Sequence, residues 1–170
     1  MLALTRKALV AGSLAFACLA MFSLAHFDRA ALALTARDAE SVVSVLEKLK
    51  ADGVQIAYDN EAAEEWFERD AGEKKFITKA GFSQKTWKVA VDETITGFFA
   101  SIPEAEIKST FDAARKRVEA ATGMTAAQKE ALSEMWEEQY KEINAMRARG
   151  KPFVATVTPL AARLRKLTFD

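Results

Sequence analysis

Side-chain chemistry draws on thiols, imidazoles, paired carboxylates and activated hydroxyls, and this sequence holds few of them. Its single cysteine, Cys18, and single histidine, His26, both lie near the N-terminus. The rest of the chain therefore cannot build a Ser-His-Asp or Cys-His nucleophile, a histidine zinc site or the Glu-x-x-His di-iron pattern of helical bundles. What remains is carboxylates, lysine, tyrosine and serine. Glu64, Glu65, Glu68 and Asp70 form a dense acidic group, and such a group can bind a hard cation or divide into a general acid and a base. Their spacing contains no Asp-x-Asp-x-Asp-Gly loop, so they read as a solvated helix face. Lys74, Lys75 and Lys79 likewise lack the Gly-rich loop of a phosphate cradle. The sequence predicts no catalytic residue, no cofactor and no metal site. The alternative is a carboxylate-dependent enzyme acting on envelope material.

The position of Cys18 and His26 gives this exclusion its force. Arg6 and Lys7 precede an uncharged stretch from Ala8 to Ala25, and Ser23-Leu24-Ala25 places small residues at the −3 and −1 positions of a cleavage site. That is the layout of a secretory signal peptide. We read residues 1–25 as the signal, with Ala31-Leu32-Ala33 giving an alternative end at residue 33. Cleavage removes Cys18 and leaves His26 at or near a frayed terminus. The expected location is periplasmic or secreted, with inner-membrane anchoring by residues 8–25 as the alternative. The stretch is near the lower length limit for a span, but its many alanines weaken insertion. Ala15-Phe16-Ala17-Cys18 departs from a lipoprotein signal by its bulky Phe16 and by placing Cys18 in mid-run. Losing Arg6 and Lys7 takes the 24 basic residues to 22 against 24 acidic ones. That near-neutral balance argues against nucleic acid as a partner, and membrane contact is expected only if the N-terminal segment is retained. The acidic stretch 59–73 and the basic stretch 147–166 read as solvated faces.

Periodicity supplies the elements that must position everything else. Thr35 can cap a helix, with Asp38 at its N3 position. Ala39, Val42, Val43, Leu46 and Leu49 follow at helical spacing, and Gly53 stops the helix. Val54, Ile56 and Tyr58 alternate as a short strand would, without a partner in view. Asn60 is placed to start a short helix to Arg69, with Trp66 and Phe67 facing inward. Ser83 opens the most apolar helix, carrying Trp87, Ala90, Val91, Thr94, Ile95, Phe98, Phe99 and Ile102, which predicts a central position. Pro103 fits the first turn of the next helix, whose inner stripe is Ile107, Phe111, Ala114 and Val118. Thr125 caps the longest helix, running to about Arg149 with Leu132, Met135, Trp136, Tyr140, Ile143 and Met146 inside, and Gly150 ends it. Pro152 begins a last segment that Thr158-Pro159 restarts or kinks, with Leu160, Leu164 and Leu167 on one face. The expected fold is all-α: one domain over residues 35–170, an antiparallel bundle of five or six helices, with residues 53–82 the least regular region.

Aromatic residues cluster in that irregular region. Tyr58, Trp66, Phe76, Phe82 and Trp87 are the candidate lining of a ligand or partner groove, since aromatics serve both cores and binding sites. Met124-Thr125-Ala126-Ala127-Gln128 resembles the Leu-Thr-x-x-Gln motif of the small helical periplasmic chaperones of the Spy and CpxP group. It differs by Met124 in place of Leu and occurs once instead of twice. The resemblance implies a chaperone-like role, while a capping box accounts for the same Thr125 and Gln128. The expectation is a non-catalytic binding, chaperone-like or assembly protein of the bacterial envelope, whose partner is a protein, a peptide or a small apolar ligand. A membrane-tethered scaffold is the form it takes if the signal is kept.

Overall fold

In the computed structural model the described residues are 34–57 and 61–169, and they are all-α, with no strand among them. The signal-peptide reading and Tyr58 lie outside them. Helix α1 spans Ala36–Ala51; the Thr35 hydroxyl accepts the Asp38 amide at 3.1 Å, as the capping pattern required. Gly53, at φ 83°, turns the chain out of it. Residues 54–57 form no strand, and the Val54 amide instead donates to the Leu49 carbonyl at 2.9 Å, so the alternation of Val54 and Ile56 builds no sheet. Helix α2 is Ala62–Gly72 and α3 is the single turn Phe76–Lys79.

This short turn is held by a residue the sequence placed on a solvated face. Asp70 is 2% exposed. Its carboxylate accepts the amides of Phe76 at 2.9 Å and Ile77 at 2.8 Å, stitching α3 to the end of α2. A buried carboxylate survives only when fully partnered, and two backbone donors supply that here. Glu64 does face solvent, where it pairs with Lys88 at 3.3 Å.

Helix α4, Gln84–Ser101, starts in a complete Ser83–Thr86 capping box and lies at the centre of the core. It packs against α1, against α2 and against the C-terminal segment. Trp87, Val91 and Phe98 have essentially no accessible surface. Two buried threonines on α4 cost little, because Thr94 donates to the Ala90 carbonyl and Thr96 to that of Asp92, each at 2.6 Å. Helix α5 is Glu104–Ala120, with Pro103 as its N-cap residue just outside the first turn. Helix α6 is Ala126–Gly150, opened by the Thr125–Gln128 box.

Gly150 does not end α6 by a left-handed turn. Its φ is −76°, and the chain continues through a 3-10 turn at Lys151–Phe153, helix α7 (Val154–Val157), a second 3-10 turn at Thr158–Leu160 and helix α8 (Ala161–Phe169). Pro152 and Pro159 sit in those two tight turns and bend the path. Gly150 is there for closeness: a Cβ on it would fall on the carbonyl of Thr96, and one on Gly97 would meet Phe153 at 2.9 Å. The bare Gly150 lets α4 and α6 touch backbone to backbone, and the bare Gly97 lets the segment of Phe153 and Val157 close on α4. Helix α8 then returns to α1, where Arg163 grips Glu47 through two 2.7 Å bonds and also reaches Glu40 and Ser44. Lys50 closes the end of α8 by donating to the Lys166 carbonyl at 2.8 Å.

Candidate functional site

Contacts along α6 show how α4 and α5 follow one another. Thr96 of α4 meets Gly150, while Phe111 of α5 meets Tyr140 and Trp136, and Arg115 pairs with Glu137 at 2.7 Å. Partners descend α6 as they ascend α4 and then α5. Both helices therefore run antiparallel to α6, end to end, with Ile102 and Pro103 as the joint. Helix α6, 25 residues long, spans about 37 Å at 1.5 Å per residue. Its C-terminal part lies against the core, and among the described residues its N-terminal part has only α5 beside it. The two form an arm.

The arm's stripes are apolar but not covered. From Asp112 to Arg149 no residue is buried. Leu132, Trp136, Tyr140, Ile143 and Met146, which periodicity placed inside, are half-buried, and Met135 is 40% exposed, as is Met124 at the tip. The expected inner stripe of α6 thus shields α5 and leaves its own flank open. Phe111 is the last buried residue of α5, held edge-on by the Tyr140 ring at 5.2 Å and the Trp136 ring at 5.9 Å.

On that flank lies an apolar groove. Its outer part is a cavity of about 320 Å³ lined by Thr110, Phe111, Ala114, Arg117, Val118 and Trp136. A smaller hollow of about 100 Å³ continues it toward the core past Phe99, Ile102, Ile107 and Ile143, sharing Thr110 and Phe111. Such concave apolar lining with a few polar rim groups is the general character of a binding site. The rim is set by charge. Arg117 stands at one edge, and Glu106 at the inner end is held by Arg165 at 2.7 Å. On the other flank the Arg115–Glu137 bridge ties the two helices, and Lys129 donates to the Glu119 carbonyl at 2.7 Å near the tip. Farther along α5, a mutual hydrogen bond holds the Lys108 ammonium above and the Asp112 carboxyl below their ordinary ranges. Both lie outside the groove, and each simply stays charged.

The sequence-derived aromatic set is placed differently. Phe82 and Trp87 meet edge-on at 5.5 Å, and the Trp87 indole donates to the Ala63 carbonyl at 2.9 Å. With Trp66 they are at most 5% exposed, so these three side chains fasten α2 to α4. Phe76 is half-buried, its ring facing the Lys48 ammonium at 5.6 Å. The groove residues Phe111, Ala114, Val118 and Trp136 were all visible as stripe positions. Their signal was the absence of any further helical stripe between residues 103 and 150 to cover them.

Among the described residues no cluster of three His, Cys, Asp or Glu side chains can hold a metal ion. No helix among them is long and apolar enough to cross a membrane. No family model, curated protein or solved structure matches this chain.

Proposed function

We propose that this is an exported, non-catalytic binding protein of the bacterial envelope, whose α5–α6 arm docks an apolar or amphipathic segment of another protein. The observation that carries the reading is the arm itself: two long helices with a continuous apolar groove, in which no residue from 112 to 149 is buried by the rest of the described residues. Isolated helices draw little stability from propensity and depend on burying an apolar face. An arm with its flank uncovered gains from a partner that covers it. Helical segments seat in such grooves through residues spaced at i, i+3, i+4 and i+7. The groove offers apolar walls and no poised nucleophile or base, which suits recognition and not turnover.

Export belongs to this proposal. The chain works in the periplasm or is secreted once residues 1–25 are removed, as an antiparallel bundle with a projecting hairpin, and intact mass of the envelope-fraction protein tests the removal. Retention of the segment turns the same arm into that of a membrane-tethered scaffold.

Trp136 makes the binding reading directly measurable. Of the three tryptophans, Trp66 and Trp87 are buried and Trp136 is half-exposed beside the groove. An amphipathic helical peptide should protect Trp136 from acrylamide quenching in a saturable way, and Val118→Asp should abolish that protection while leaving helicity unchanged. Unchanged quenching across a panel of such peptides, with the fold intact, refutes the proposal.

A further inference from the structure

The break between α4 and α5 leaves a notch on the flank opposite the groove. Its volume is about 200 Å³, and its lining is Ala100 and Glu104 from the broken helix pair with Asn144, Arg147 and Ala148 from α6 and Lys151 from the 3-10 turn that follows. Here α4 is in its last turn and α5 at its first residue, so the gap opens between the helix joint and the polar side of α6.

Arg147 is the unusual group. Its Nε–H is shut off from solvent and has no hydrogen-bond partner. A buried donor left unmade forfeits its hydration without compensation. Once the side chain turns that N–H into the notch, an acceptor there supplies the missing bond. Neighbouring Arg149 lies 3.8 Å from Asp92 on the α4 side. Neither Arg147 nor Lys151 has an ion pair among the described residues. Two cations and a carboxamide donor therefore converge on one small space.

We infer that the notch formed by Arg147, Lys151, Asn144 and Glu104 binds a carboxylate. A guanidinium takes a carboxylate side-on through two parallel bonds, one from Nε, and the planar fork matches that geometry. Lys151 adds a mobile second charge, and the Asn144 amide a neutral donor. Glu104 sets the selectivity: with its negative charge on the rim, the four side chains carry a net single positive charge. A monoanion is matched by that charge, and a phosphate dianion meets repulsion from Glu104. The source of the carboxylate is either a small organic acid or the C-terminus of a polypeptide. This site does not depend on the groove, which lies on the other flank of the arm.

The test is a titration of the purified full chain followed by the Arg147 Nε–Hε resonance. The probes are sodium acetate, inorganic phosphate, and a short peptide without acidic side chains in free-acid and C-terminally amidated forms. A saturable shift with acetate, and with the free-acid but not the amidated peptide, is expected. A peptide binding more tightly than acetate identifies the C-terminus as the source, and equal affinity identifies a small acid. Arg147→Met should weaken acetate binding about tenfold or more, and Lys151→Met several-fold, as fits loss of a charge-assisted pair. Glu104→Gln should tighten acetate and bring in phosphate. Absence of saturation, equal affinity in Arg147→Met, or phosphate exceeding acetate in the native chain overturns the inference. Should Arg147→Met fail to fold, the Lys151 and Glu104 variants, both at exposed positions, decide it alone.

Discussion

Replacing Gly150 with alanine tests the contact that fixes where the arm leaves the core. Alanine is the better helix former by about 1 kcal/mol, so propensity alone predicts a gain in stability. The structure predicts a loss. The added Cβ falls on the Thr96 carbonyl and within 2.7 Å of the Gly97 nitrogen, both backbone atoms of the central helix. A flexible side chain can step aside from such a collision; a buried helix backbone cannot. Overpacking of this kind costs about 1–3 kcal/mol and sometimes more, which outweighs the propensity term. Gly72, in α2, has nothing within 4 Å of its Cβ position and serves as the control. Gly72→Ala, at the last residue of α2, should stabilise by about 0.4–1 kcal/mol, because alanine narrows the unfolded ensemble where the native backbone accommodates it. Urea melts of the two variants beside the native chain then give shifts of opposite sign. If Gly150→Ala melts at or above the native midpoint, α4 and α6 do not approach as described, and the notch at Arg147 loses its framework as well.

Three further outcomes follow from the core and its charges. Phe98→Ala, at a position 1% exposed in the central helix, should destabilise by about 3–5 kcal/mol; a loss under about 1 kcal/mol contradicts the core. Asp70→Asn should cost about 1–3 kcal/mol, because the amide cannot accept both the Phe76 and Ile77 amides as the carboxylate does, and α3 should lose hydrogen-exchange protection first. Two glutamates pull the pH profile in opposite directions. The hydrogen bond from Arg163 holds the Glu47 carboxyl below its ordinary range, so its contribution is complete above about pH 4.5 and fades as pH falls through the lowered value. Burial, with Asp92 beside it, raises Glu93, so stability drops as pH climbs from about 4.5 through the raised value. Glu93→Gln, which can still accept the Leu34 amide, should be more stable than the native chain at pH 7 and indistinguishable at pH 4. An equal or lower melting temperature at pH 7 would show that the carboxylate carries no burial penalty.

What could be read before the structure was known divides along a physical line. Caps are local, and Thr35, Ser83 and Thr125 open their helices as their sequence neighbours require. The width of an apolar stripe is also local, and the broad stripe of Trp87 through Phe98 correctly marked α4 as central. Asp70 and Gly150 depend on contacts that no local rule contains. A carboxylate buried to hold an adjoining turn looks like its solvated neighbours Glu65 and Glu68. A glycine required for helix contact looks like a glycine that ends a helix, and only the proximity of Thr96 distinguishes them.

The same line separates the two aromatic sets, and it bears on function. Hydrophobic spacing states that a face is apolar; it does not state what covers it. Around Trp66, Phe82 and Trp87 the cover comes from the same chain, because α2 and α4 lie close enough to bury one another and to satisfy the Trp87 indole. Around Phe111, Val118 and Trp136 no further helix among the described residues supplies that cover, since α7 and α8 turn back to α4 and α1. A functional surface in a protein of this composition is therefore to be sought where a helical stripe lacks a covering element, not where aromatics are densest. The arm meets that description, and on our proposal it recognises its partner by contact through that uncovered groove.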